Sequence, residues 1–156
     1  VLGARRGVTG REQVRSDMRS MHQLARTALK IEGVKRLREV SRGGTAAALH
    51  LLAGELGVCA RLRDKSLPVQ ARTKEILLEE GVNPLFATAA GVMIAAASPG
   101  AAQTLLTQWH RVDGGRGAVE IGDVQLVPRG EVQLILRDGT GQPLNLPRHN
   151  LPERLG

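Results

Sequence analysis

The sequence predicts an α+β fold: a mixed, mainly antiparallel sheet with helices packed on it. Two observations favour this class. Segments with the 3.6-residue period of helices alternate with short segments of strand pattern as far as residue 110, and the last third of the chain is extended. The length predicts a single domain, because 156 residues are enough to bury a hydrophobic core.

Four segments have the signals of helices. Ser16 is a predicted N-cap, and the helix that it opens is expected to stop near Glu32, with Gly33 as a left-handed cap. The second segment is apolar on nearly all sides, which predicts a buried helix. Pro99 stands at the first position of the fourth, behind the capping residue Ser98. The predicted helices are residues 16–33, 45–56, 70–80 and 99–110.

Strands are predicted where apolar and polar residues alternate or where a short apolar run lies between turn residues. The predicted strands are residues 34–40, 58–63, 91–97, 118–123, 124–127 and 131–137. A turn separates helix and strand at Asn83-Pro84.

The chain is predicted to have three parts. Residues 1–15 carry three glycines among arginines without a sustained apolar period, which is typical of an arm or linker. Residues 16–137 form the predicted domain. Residues 138–156 contain three prolines and are expected to lie extended over a surface or to be disordered.

The net charge of +7 lies entirely in the first quarter of the chain. Residues 1–42 hold 11 Lys or Arg and 4 Asp or Glu, whereas residues 43–156 hold 11 of each. This excess can attract an anionic ligand or nucleic acid, or it can be a solvated helix face with a flexible arm. Trp109 and Phe86 are the only aromatic residues, which argues against a base-stacking nucleic-acid surface.

The sequence contains no complete catalytic or metal-binding motif, so no catalytic residue is assigned and no metal site is expected. Its four histidines never pair at helical metal-ligand spacing, and one cysteine cannot build a structural zinc site or a disulfide framework. We expect His50 to be a hydrogen-bonded core histidine and Cys59 to be an inert core thiol. No apolar run has membrane-spanning length and no signal peptide is visible, so we expect no membrane partner and a cytoplasmic location.

The most distinctive stretch is Ser41-Arg42-Gly43-Gly44, directly before the predicted buried helix. A glycine turn that opens a helix exposes backbone N–H groups at the positive end of the helix dipole, beside a guanidinium. This arrangement suits a phosphate or another anion. Alternatively, Ser41 caps the helix and the glycines only shape the turn. The local pattern leaves both interpretations open.

These residues resemble the C-terminal domain of the aminoimidazole ribonucleotide (AIR) synthetase, or PurM-like, superfamily, and within it the branch of hydrogenase maturation protein HypE. In that branch an Asp-x-Thr-Arg-Gly-Gly-Leu motif opens an apolar helix, and residues 39–45 stand in its place. Asn83-Pro84-Leu85-Phe86 is similar to the family's Asp-Pro-Leu-Tyr. Ser16-Asp17 and Ile121-Gly122-Asp123-Val124 also match family positions, so the similarity covers about residues 16–137.

The resemblance implies an ATP-using family that activates an oxygen by phosphorylation, in proteins built as homodimers. In such proteins an N-terminal domain, absent from this chain, supplies most residues that bind nucleotide and Mg²⁺, and the glycine turn faces the shared cleft. On this basis Gly43 and Gly44 donate backbone hydrogen bonds to a phosphate and Arg42 supplies charge. Ser41 caps the helix or bonds the ligand, and Glu39 lies at the substrate cleft.

Proteins of this branch end in Leu-Pro-Arg-x-Cys, whose cysteine carries the carbamoyl group, whereas here Leu146-Pro147-Arg148 is followed by His149 and Asn150. The expected function is therefore the C-terminal part of an ATP-dependent protein of this type, inactive alone and dependent on an N-terminal nucleotide-binding domain. Two alternatives stay open at this point. One is a catalytically silent domain for assembly or ligand sensing, and the other is a nucleic-acid-binding module built on residues 1–42.

Overall fold

A computed structural model describes residues 20–147 of the chain. The predicted arm at residues 1–15, the predicted N-cap Ser16 and the last part of the predicted tail, residues 148–156, lie outside the described residues. The limits of the three predicted parts therefore stay predictions.

Residues 20–147 form four helices and six strands in two sheets, which confirms the α+β class. The helices are α1 (His22–Ala28), α2 (Gly44–Leu56), α3 (Ala71–Glu79) and α4 (Pro99–Trp109). The strands are β1 (Val34–Glu39), β2 (Cys59–Arg63), β3 (Met93–Ala97), β4 (Gly122–Gln125), β5 (Val132–Ile135) and β6 (Gly141–Pro143). None of these helices is both long and apolar enough to cross a membrane.

Strand pairing divides the predicted single sheet into two. β1 and β3 form an antiparallel pair, and the other four strands follow the order β4-β2-β5-β6. β2 and β5 run parallel, whereas the pairs β2–β4 and β5–β6 are antiparallel. The pairing is therefore mixed and mainly antiparallel, as the sequence predicts.

Helix α2 is the centre of the main core because it contacts strands of both sheets. Its apolar residues pack against Val40 and Ile94 on one side and against Leu62 and Val132 on the other. Leu52 is 2% exposed, as expected for a helix whose apolar surface extends over most of its circumference. The N-terminus of α2 is consequently held by the core and not by a loop alone.

A second core cluster joins α1 to α4 through Leu24, Ala28, Leu105 and Trp109. The indole Nε1–H of Trp109 donates a hydrogen bond of 3.0 Å to the carbonyl of Leu24. This bond satisfies the one polar atom of a side chain that is 7% exposed. The cluster fixes the face of the β1–β3 pair opposite to α2, with Leu37, Met93 and Ala95 packed against it.

The predicted first helix is wrong at its C-terminal end. α1 ends at Ala28, not near Glu32, and the chain passes through a turn before β1. The N–H groups of Lys30 and Ile31 bond the carbonyls three residues earlier, which is the tighter geometry common at helix ends. Gly33 has a φ of +92°, so the predicted glycine with positive φ is present, but it lies directly before β1 and not at the end of α1.

The two strands predicted between residues 118 and 127 are also wrong. One four-residue strand, β4, crosses the predicted break, and residues 126–130 form a turn. Pairing with β2 places Gly122 opposite Leu62 and Gln125 opposite Cys59, and this long-range contact sets the limits of β4. Beyond residue 137, β6 extends the sheet and Leu144 is 8% exposed within the main core.

Candidate functional site

The glycine turn, residues 41–44, connects β1 to α2. The last residue of β1, Glu39, is exposed and pairs with Met93, and the buried Val40 donates its N–H to the carbonyl of Val92 at 2.9 Å. Ser41 and Arg42 then reach the surface. The predicted site residues therefore come directly after a segment whose backbone is held by pairing with β3 and by the bond to Val92.

The two glycines of this turn are both buried and both have left-handed backbone conformations. Gly43 is the N-cap of α2 with φ +82°, and Gly44 has φ +65°. Because residues with a Cβ rarely adopt this conformation, the turn needs glycine on conformational grounds alone. Ser41 makes no side-chain capping bond to α2, so its predicted role as a cap is wrong.

Gly44 has a further constraint, which is contact with the 83–87 turn between α3 and β3. A Cβ atom on Gly44 would lie 2.5 Å from the carbonyl oxygen of Leu85 and 2.7 Å from that of Ala87. The N–H of Gly44 donates to the carbonyl of Ser41 at 3.0 Å. Gly44 is therefore not a free backbone donor, contrary to the sequence-based expectation, because its N–H closes the turn.

The 83–87 turn also supplies the cap that Ser41 does not provide. The carbonyl of Leu85 accepts the N–H of Ala46 at 2.9 Å, in the first turn of α2. The side-chain oxygen of Asn83 accepts the N–H of Leu85 at 2.9 Å. The N–H of Phe86, which shares a peptide group with the Leu85 carbonyl, donates to the backbone carbonyl of Asn83 at 3.0 Å, so both bonds hold the turn that carries this carbonyl. The sequence predicts a turn here but not its contact with the start of α2, since no local pattern in residues 83–87 indicates that contact.

Two N–H groups remain without a hydrogen-bond partner among residues 20–147 at this helix start, those of Gly43 and Thr45. The N–H of Ala47 bonds the carbonyl of Gly43 at 3.2 Å and continues the helix. Unpaired N–H groups in the first turn of a helix attract acceptors and negative charge. The turn therefore keeps two backbone donors that are unpaired within the described residues, as expected, but they are those of Gly43 and Thr45 and not those of Gly43 and Gly44.

The positive charges of β1 and of the glycine turn have different surroundings. The carboxylate of Glu55, near the end of α2, pairs with Arg36 at 3.1 Å and also with Arg38. Arg42 is exposed and has no acidic partner within the part of the chain that the structure describes. Arg42 is thus the guanidinium beside the turn whose charge is not compensated by such a pair.

His50 behaves as the sequence predicts. Its Nε2 lies 2.6 Å from the carbonyl oxygen of Leu144, and the side chain is partly buried on α2. A protonated Nε2 donates this bond and joins α2 to the segment that follows β6. The ring is therefore engaged in the structure of the core.

Cys59 is fully buried in β2. Burial raises the pKa of its thiol above the ordinary value of 9.0, and the negative charge of Glu131 adds to this effect. A thiol that keeps its proton is a poor nucleophile, which supports the expectation of an inert core residue. Among residues 20–147, no group of three or more His, Cys, Asp or Glu could hold a metal ion.

Comparison with protein families gives a match over residues 4–135 to the AIR synthase related protein, C-terminal domain. This chain belongs to that family. The matched residues include the glycine turn, the 83–87 turn and every strand except the last, so the family assignment covers the candidate site.

Curated relatives of this AIR synthase-related domain are carbamoyl dehydratases named HypE. The protein from Escherichia coli (strain K12) is 32% identical over 132 residues, which are 85% of this chain and 39% of that protein. The HypE of Cupriavidus necator is 29% identical over 140 residues, which are 89% of this chain and 40% of that protein. The AIR synthase-related domain described here thus spans about two fifths of the length of these relatives.

Solved structures agree with the family assignment. The crystal structure of Escherichia coli HypE matches with a TM-score of 0.87 and 29% identity over 98% of this chain and 47% of that chain. A HypE structure in complex with ATP also has a TM-score of 0.87, at 24% identity over 97% of this chain and 47% of that chain. These matches confirm the fold and the similarity to the HypE branch.

Proposed function

We propose that this domain is the C-terminal part of an ATP-dependent, HypE-like protein and that its glycine turn faces a phosphate group. The partner in this function is an N-terminal nucleotide-binding domain, which lies outside the chain. The observation that carries the proposal is the uncompensated guanidinium of Arg42 beside the unpaired N–H groups of Gly43 and Thr45. Family membership and the ATP complex of a similar structure support nucleotide as the ligand.

In this function Arg42 binds and orients a phosphate by charge and by its fixed set of N–H donors. The hydroxyl of the exposed Ser41 and the N–H of the buried Gly43 add neutral donors next to Arg42 in the chain. Such groups stabilise a phosphoryl group during transfer by position and charge, without forming a covalent bond to it. Gly44 serves the site indirectly, because its contact with the 83–87 turn holds Ser41 and Arg42 in place.

ATP supplies the phosphoryl group in the proposed reaction. The family resemblance assigns Mg²⁺ binding to the N-terminal domain. Glu39 is exposed at the end of β1 and enters the proposal as a residue of the substrate cleft. Cys59 takes no part, since a buried thiol with a raised pKa cannot accept a transferred group from a cleft.

The proposal predicts that Arg42→Ala weakens the binding of ATP about fivefold to tenfold, the effect of losing one exposed charged contact. Arg36→Ala is the matched control. It also replaces an arginine by alanine, but the guanidinium of Arg36 is already paired with Glu55. Affinity is measured by calorimetric titration of the intact protein, with its N-terminal domain, using ATP with and without Mg²⁺. Unfolding of both variants in urea shows whether the fold is intact.

Equal affinity of the wild-type chain and the Arg42→Ala variant would remove Arg42 from the site. An equal loss in both variants would show attraction to general positive charge and not a site at the turn. Light scattering of the same samples tests the proposed homodimer, for which a molar mass of two chains is expected.

A further inference from the structure

We propose that Asn83 is a positioning residue, which sets the orientation of Ser41 and Arg42 through the 83–87 turn. This inference rests on the proposed function of the glycine turn. It concerns a residue that does not itself contact the ligand, and it explains why a segment about 40 residues further along the chain bears on the site.

The first step is the hydrogen bond inside the 83–87 turn. The Oδ1 atom of Asn83 accepts the N–H of Leu85 at 2.9 Å, and the carbonyl of Asn83 accepts the N–H of Phe86 at 3.0 Å. A side chain that hydrogen-bonds the backbone two residues later rigidifies a turn by a local contact, independently of contacts with distant residues. The Asn83 side chain therefore holds the peptide group before Leu85, and the backbone bond from Phe86 holds the peptide group that contains the Leu85 carbonyl.

The second step joins this carbonyl to α2. The Leu85 oxygen accepts the N–H of Ala46, and the backbone of residues 85–87 lies against the Cα of Gly44 with no space for a Cβ. On its other side the glycine turn is fixed by the bond from Val40 to Val92. Ser41 and Arg42 lie between these two attachments, so a change in the 83–87 turn moves one of their two supports.

The third step concerns what a looser support changes. Ser41 and Arg42 are exposed and have no side-chain bond of their own among the described residues. Their position is set by the backbone alone, and disorder in this backbone has to be removed when a ligand binds. Loss of the Asn83 bond should therefore lower ligand affinity at an unchanged set of ligand contacts.

The experiment compares Asn83→Ala with two variants that keep an acceptor: Asn83→Asp retains the oxygen at the same place, and Asn83→Ser offers a hydroxyl that makes the equivalent turn bond more weakly. The matched control is Asp138→Ala, because Oδ1 of Asp138 accepts the N–H of Thr140 at 2.9 Å in another turn, outside the site. The probes are inorganic phosphate and ATP, and the readout is the dissociation constant from calorimetric titration of the intact protein, with its N-terminal domain.

We expect Asn83→Ala to raise the dissociation constants of both ligands about fivefold, and Asp138→Ala to leave both unchanged. Either acceptor variant should restore most of the affinity, which a direct ligand contact of the amide group would not allow. An intact wild-type protein, with its N-terminal domain, that binds neither probe would refute the proposed function itself. A wild-type chain that binds, together with an Asn83→Ala variant of equal affinity, would refute only the positioning role.

Discussion

The substitution Gly44→Ala tests the packing of the glycine turn most directly. Gly44 has a φ of +65°, and a left-handed backbone costs a residue with a Cβ about 1–2 kcal/mol. The new Cβ would also lie 2.5 Å from the carbonyl oxygen of Leu85, and relief of such an overlap costs about 1–3 kcal/mol. The two effects together should lower the free energy of unfolding by about 2–5 kcal/mol.

The same helix contains a matched control at Gly54. This glycine is exposed within α2, and a methyl group added to it would meet no atom within 4 Å. Gly54→Ala should raise the free energy of unfolding by about 0.5–1 kcal/mol, since alanine loses less conformational entropy in a helix. The two variants differ from wild type by the same methyl group and are expected to shift stability in opposite directions.

Urea unfolding followed by circular dichroism measures both changes, and thermal unfolding gives a second estimate. At this chain length 1 kcal/mol corresponds to about 2–4 °C in Tm. Two alanine variants that shift the midpoint equally, or a Gly44→Ala variant as stable as wild type, would refute the close contact between Gly44 and the 83–87 turn.

Two further predictions concern the cores. The pKa of Cys59 is raised by burial, so the folded chain holds a proton that the unfolded chain loses above about pH 9.0. The free energy of unfolding should therefore fall as pH rises through this value, and a Cys59→Ala variant with the same pH dependence would contradict the assignment. Trp109→Phe removes the bond to the buried carbonyl of Leu24 and should cost about 1–3 kcal/mol in urea unfolding, with no change in ATP affinity. A variant as stable as wild type would show that water replaces the indole at this carbonyl.

Local signals in the sequence predict much of the helical part of the fold. Residues 45–56 are predicted as a helix and α2 is observed at Gly44–Leu56, with Gly57 left-handed at its end as a C-cap. Ser98 and Pro99 mark the start of α4 correctly, although the Ser98 side chain makes no capping bond. These signals succeed because glycine conformation and proline geometry depend on neighbouring residues only.

Strand limits and sheet membership depend on residues far apart in the chain, and here the sequence is less informative. Alternation between residues 118 and 127 is real, but β4 is limited by its register against β2. The parallel pairing of β2 with β5 joins residues about 70 positions apart, as in Ala60 opposite Val132. No local pattern specifies such a pair, which is why one predicted sheet proved to be two.

The candidate site shows the same division. Residues 41–44 are found from their spacing and from family resemblance, and the exposure of Arg42 agrees with the role proposed for it. The use of the Gly44 N–H within the turn is a local bond, but the cap from Leu85 requires a contact between segments about 40 residues apart. Sequence reasoning identifies where the turn lies but cannot tell which of its donors the protein itself already occupies.

The position of α2 between two sheets restricts how this domain can vary over evolution or in redesign. A helix that packs on one sheet leaves about half of its circumference open to substitution, whereas α2 offers solvent mainly a strip at Leu51, Gly54 and Glu55. An enlarged side chain at Ala46 or Ala53, both 0% exposed, would overpack the main core. New solubility or labelling positions on this helix should therefore be sought only along that strip.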